Sequence, residues 1–206
     1  MPANAIWGAG LLLVIALFFS YLGAVPLAFG LLAFPTAGIF RLAALIARER
    51  PVAFSDSLDA WRVFLRPILL MGVVIGVGTT VLVFNMVFGF SSADPVGWLF
   101  ATLALWGFLA LWAVALAFWP LLVDPLRQGE PLTARLRLAV TVILVAPGRY
   151  VALMLLVWVF LIVSTILLAA LLTVSIAFVA LVVARYVLPL ADRIESRATL
   201  LVPEEA

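Results

Sequence analysis

Ten carboxylates, three tyrosines and a scattering of hydroxyls are the groups in this chain that can move protons or attack a substrate. Histidine and cysteine are absent, and all twelve basic residues are arginine. Imidazole bases, histidine or thiolate metal sites, redox cysteines and Schiff-base lysines are thereby excluded. So is a phosphate loop ending in Gly-Lys-Ser/Thr. Asp56 and Asp59 stand about one helical turn apart, a spacing at which two carboxylates can share a face and divide acid and base work. Early in a helix, however, the same pair complements the dipole and can reach Arg62 on the next turn, and this is the reading their position favours. The expectation is a protein that is not an enzyme, with no catalytic, metal-binding or cofactor-binding residues.

The elements that carry these groups are set by composition. Of 206 residues, 67% are hydrophobic and 11% charged, against about 45–50% and about 25% in soluble domains. A chain this apolar is predicted to be a single all-α membrane domain. A helix crossing the hydrocarbon core needs about 20 apolar residues. By that measure the spans fall at approximately 6–25, 67–90, 98–123, 150–171 and 174–190. Pro26 is expected to end the first, leaving Pro26–Pro35 as a connector, because proline lacks the amide donor a helix interior needs. The apolar run from Tyr150 to Ala184 is too long for one crossing and should turn near Leu172–Ser175. Leu136–Ala146, too short to cross, is placed at the cytoplasmic interface.

Orientation follows from arginine. Arg41, Arg48, Arg50, Arg62 and Arg66 lie in one inter-span region, Arg127, Arg135, Arg137 and Arg149 in a second, and Arg185, Arg193 and Arg197 at the end. Five spans put all of them on one face, whereas four or six are expected to split them. The positive-inside rule then places the N-terminus outside and the C-terminus in the cytoplasm. Trp7 and Trp98 are assigned to the outer interface, and Trp119, Tyr150 and Tyr186 to the inner one. Asp124 and Arg185 read as interfacial anchors or an ordinary ion pair, and no span carries a charge near its centre, which argues against an ion-coupled pump.

Between the spans, Phe54, Leu58, Trp61 and Leu65 recur on a helical period and form a candidate partner-facing stripe on a cytoplasmic helix. Thr36–Glu49 reads as a second amphipathic helix, with Ile39, Leu42, Ala43 and Ile46 on one side. The interval from Pro51 to Pro67 equals that from Pro131 to Pro147, which suggests a repeated unit of span, cytoplasmic helix and span. Gly72 and Gly76 form a GxxxG for close helix packing. Asn85, an amide at membrane depth, is expected to bond to a neighbouring helix.

The stretch PTAGIFRLAALIARERPVAFSDSLDAWRVF, with Pro35, Thr36, Ala37, Phe40, Arg41, Phe54, Trp61 and Arg62 in register, resembles the signature region of the YesL-like family of bacterial membrane proteins. The resemblance implies a multi-pass protein of the bacterial inner membrane, encoded beside carbohydrate-uptake functions. Its implied partner is a permease or ATPase subunit of an ABC-type sugar transporter. The second arginine-bearing loop lacks the Glu-Ala-Ala…Gly pattern of permease coupling loops, so the chain is not expected to be a permease subunit itself. The expected role is that of a non-enzymatic accessory membrane protein whose partners are the lipid bilayer and such a complex, with no nucleic acid. The alternative is a small transporter or channel, working as a homodimer, with a polar mid-membrane cavity at Asn85, Thr79 or Thr80, and Ser164 or Thr165.

Overall fold

A computed structural model describes residues 2–20, 25–166 and 174–201. Among them are eight α-helices and no strand: α1 (Pro2–Ser20), α2 (Val25–Ala47), α3 (Ser55–Val63), α4 (Leu65–Ser91), α5 (Pro95–Val123), α6 (Leu132–Val145), α7 (Pro147–Ile166) and α8 (Ile176–Leu201). A 3-10 turn, Pro125–Arg127, follows α5. Four helical segments are long and apolar enough to cross a membrane: Ala28–Ala47 in α2, α4, α5, and Pro147–Ser164 in α7. Ala3–Leu17 in α1 is a shorter apolar helix. The chain is thus an all-helical, multi-pass membrane bundle. The turn expected near Leu172–Ser175 falls largely outside the described residues.

The connector expected at Pro26–Pro35 does not exist. Helix α2 runs unbroken through Pro35, and it is the central helix of the bundle, packed against α1, α3, α4, α5 and α8. Proline removes one backbone donor, but here small residues close the surrounding packing. Ala28, Ala33, Ala37, Ala43 and Ala44 are all buried. The reading of Thr36–Glu49 as an interfacial helix is corrected likewise. Ile39 and Ala43 do face inward, yet Ile46 is exposed, and Arg41 and Arg48 turn into the protein rather than into water.

Helix directions follow from a few close contacts. Trp7 Nε1 donates to Thr36 Oγ1 at 3.1 Å, and Gly10 lies against Leu32, so α1 is antiparallel to α2. Gly72 faces Ala33 and Gly76 faces Phe29, setting α4 antiparallel to α2. Gly78 against Leu111 and Gly89 against Ala101 do the same for α4 and α5. Tyr150 Oη donates to Ala113 O at 2.7 Å, and the Phe160 and Phe178 rings lie 4.6 Å apart, which extends the alternation through α7 to α8. The arginine-bearing segments consequently gather at one end of the bundle. Helix α2, running on through the segment predicted as a connector, leaves that sorting intact. It also brings the start of α1 to the arginine end, and Trp7 is buried against Thr36, midway along α2, instead of at the opposite interface. Asp94, at the other end, caps α5 by accepting from Val96 N at 3.2 Å.

The two short helices at the arginine end differ from each other. Helix α3 stops at Val63, and Phe64 (φ −112°, ψ 23°) separates it from α4. Pro67 then sits in the first turn of α4, where its missing N–H has no helical partner to lose. This break splits the predicted stripe: Leu65 belongs to α4, and Phe54 (40%) and Leu65 (49%) are exposed. The inward residues are Ser57, Ala60 and Phe64, with Trp61 half-buried and edge-on to Phe34 at 6.2 Å. Helix α6 buries Arg135, Leu138, Ala139 and Val142, an i, i+3, i+4, i+7 face. Each arginine-bearing connection therefore holds one short helix between two long ones. They are unequal, at 9 and 14 residues.

Candidate functional site

Helices α2, α5 and α8 run in the same direction and reach the arginine end together. A helix C-terminus leaves four carbonyls unbonded and carries partial negative charge, so cations belong there. Arg135 Nη1 donates to Leu122 O at 2.5 Å and Arg41 Nη1 to Val123 O at 2.7 Å. Two guanidinium groups thus cap the last turn of α5. Arg135 also donates to Arg127 O, and its guanidinium lies 5.5 Å above the Phe64 ring.

Between these caps lies an ionic cluster. Arg48 contacts Asp124 in bidentate fashion, Nη2 to Oδ2 at 2.6 Å and Nε to Oδ1 at 3.2 Å. It reaches Asp192 as well, Nη1 to Oδ2 at 2.5 Å and Nη2 to Oδ1 at 3.0 Å. Arg127 donates to Asp124, to Asp192 at 2.6 Å and to Glu195 at 2.5 Å. Asp124 is 0% exposed and Arg127 3%, so the bond between them is charge-assisted and shielded from water. Asp124 is ion-paired, as its position allowed, but with Arg48 and Arg127, and Arg185 remains on the surface. The pairings were illegible in the sequence because the partners of Arg48 lie 76 and 144 residues away.

The electrostatics follow. Burial pushes the Asp192 carboxyl up, but hydrogen bonds from Arg48 and Arg127 outweigh it and hold the group below its ordinary value of 3.8. Hydrogen bonding to Asp192 leads the causes that raise Arg48, against its burial. Burial also opposes the charge on Arg127, and Glu195 and Asp192 overcome it. Burial lowers Arg135. Because the folded-state pKa of Asp192 is depressed, its stabilisation is full above the unfolded value and is lost as pH falls through the folded one. The thermal midpoint in detergent is therefore expected to fall on acidification through and below about pH 4, and the fall should be shallower in Asp192→Asn. Equal slopes in the two proteins would contradict this.

With every cluster carboxylate held by arginine, the arrangement clamps helix ends and offers no free acid or base. Asp56 accepts from Ala53 N at 2.7 Å, and Asp59 lies 3.8 Å from Arg62 in an exposed pair. Both do the capping and pairing their position suggested.

Gly72 and Gly76 pack against α2 within the chain. Asn85 is exposed and donates to Val81 O of its own helix at 3.0 Å, not to a neighbouring helix as expected. Thr80 likewise bonds to Gly76 O at 2.7 Å. A cavity of about 310 Å³ lies elsewhere and is lined by Trp7, Phe40, Phe108, Trp112, Trp119 and Trp158 among others. Four of the seven tryptophans thus meet at one apolar space, which none of Thr79, Thr80, Asn85 and Ser164 lines. Compared with protein families, curated proteins and solved structures, the chain matches none.

Proposed function

We propose that this chain is a non-enzymatic accessory protein of a bacterial inner membrane that docks a partner membrane complex on its arginine-bearing end. The observation that carries this reading is the apolar surface around α3. Val52, Phe54, Val63 and Leu65 stand exposed there, beside the exposed Arg62 and Arg66. Large apolar residues exposed beside charge are characteristic of an interaction surface. The resemblance to the YesL-like family adds the identity of the partner, a permease or ATPase subunit of an ABC-type sugar transporter. The wild-type protein, isolated from native membranes, is expected to bring such subunits with it, and Phe54→Ser/Val63→Ser/Leu65→Ser to lose them. Recovery of no transporter subunit by the wild type would overturn the reading. A second reading, a small transporter, draws support from the aromatic cavity, whose lining suits an apolar cargo rather than an ion.

In the membrane, the positive-inside rule applied to the arginine end makes that end cytoplasmic. We place both termini there, with α1, α2, α4, α5, α7 and α8 crossing, in place of five spans with an external N-terminus. The native chain has no cysteine, so single-cysteine labelling is free of background. Ala3→Cys, Ser55→Cys and Thr133→Cys are expected to resist an impermeant reagent applied from outside, and Ala93→Cys to react. Reaction at Ala3→Cys from outside would restore the five-span arrangement.

A further inference from the structure

Helix α8 presents two kinds of charge to two sides at its cytoplasmic end. Asp192 and Glu195 turn toward Arg48 and Arg127, whereas Arg193 and Arg197 line a separate groove with Arg149 of α7. This groove measures about 440 Å³, and Val145, Leu190 and Ile194 form part of its wall. No carboxylate lines it, and among the described residues none forms an ion pair with any of these three exposed arginines. Three like charges therefore converge without a counter-charge from the described protein.

We infer that the groove binds the phosphate headgroup of an anionic phospholipid of the inner leaflet. Depth favours this occupant. Arg149 lies in the first turn of α7, at the start of the membrane-crossing segment Pro147–Ser164, which is the level of the headgroups. The surface leading away from the groove favours it too. Seven and fourteen residues beyond Arg149, on the same side of α7, Leu156 (53%) and Val163 (50%) are exposed. Phe160, between them, packs against Phe178 of α8 with the rings tilted. A lipid seated by its phosphate on the arginines has a continuous apolar track for an acyl chain. Guanidinium groups suit the headgroup because they present several fixed donors to phosphate oxygens. Arg185, exposed two turns nearer the membrane on α8, can extend toward the same layer as long arginine side chains do. This inference rests on the cytoplasmic placement of the arginine end, and it is independent of the partner-docking reading.

The test uses the full-length protein in detergent, titrated with phosphatidylglycerol or phosphatidylcholine and read by native mass spectrometry. Wild type is expected to retain phosphatidylglycerol in preference to phosphatidylcholine. Arg149→Gln/Arg193→Gln/Arg197→Gln should lose that preference, since each surface arginine is worth roughly fivefold and three on the order of a hundredfold. The control Arg50→Gln/Arg62→Gln/Arg137→Gln removes equal charge from exposed positions outside the groove and should keep it. Equal retention by the groove variant, or equal loss in the control, would overturn the site. Displacement of the lipid by millimolar inorganic phosphate would overturn the lipid assignment in favour of a soluble anion. Thermal midpoints matching wild type in both variants make the comparison one of binding and not of folding.

Discussion

Asp124→Asn is expected to lower the stability of the folded bundle by about 3–5 kcal/mol, the range for breaking a buried ion pair by removing one partner. The carboxylate is fully buried and receives both Arg48 and Arg127. Removing its charge leaves two guanidinium groups to share Asp192 and Glu195, which are 40% and 44% exposed. Asparagine keeps a side-chain oxygen for the amide of Leu126, which Asp124 accepts at 3.2 Å. The substitution thus isolates the charge from the cap. Asp124→Ala removes both, and its further loss should be about 1 kcal/mol, typical of a helix cap. Asp59→Asn, an exposed pair at 3.8 Å, should leave the thermal midpoint unchanged. Tryptophan fluorescence during heating in detergent reads all three. An Asp124→Asn protein as stable as wild type would show that the cluster is not what holds α2, α5 and α8 together.

Gly72→Val should be similarly damaging, for a steric reason. A Cβ at Gly72 would stand 2.6 Å from Ala33 Cβ and 3.0 Å from Gly30 Cα. Neither atom can swing aside, so α2 and α4 must separate. Overpacking of this kind costs about 1–3 kcal/mol, occasionally more. Gly76→Val meets Phe29 Cβ at 2.7 Å and Pro26 O at 3.0 Å and belongs to the same class. Gly107→Ala provides the contrast. Its new methyl meets only the tip of Leu82, at 3.1 Å, and alanine is favoured over glycine within a helix by about 1 kcal/mol. Gly107→Ala should therefore match or exceed wild type in thermal midpoint while Gly72→Val falls well below it. Because the Gly72 contact lies within one chain, its effect should be independent of protein concentration. Loss of stability that vanished at high concentration would move these glycines to an interface between copies.

The helical membrane character of the chain was legible from composition, and the common end of the arginines from their positions alone. The path of α2 was not. Pro26 and Arg41 look like the boundaries of a span only if a proline must end a helix and an arginine must face water. Arg41 instead spends its charge on Val123 O, 82 residues away, and a pattern read along the chain cannot contain that bond. The stripe Phe54/Leu58/Trp61/Leu65 does not lie on one helix, for a related reason. Its period is correct for one helix, but Phe64 divides the segment into two. Asp124 was visible as a lone acid after a long apolar run. What it faces depended on α8, whose arginine-bearing end is amphipathic in the sign of its charge rather than in hydrophobicity.

The ionic cluster also imposes an order on biogenesis. Arg48 is synthesised long before Asp124, and Asp192 and Glu195 follow near the end of α8. Until those residues emerge, Arg48 and Arg127 have Asp124 alone to share. The last helix therefore acts as a closing key. Its arrival completes the ion pairs of Arg48 and Arg127, so chains that lack it are distinguishable from finished ones by these two guanidinium groups.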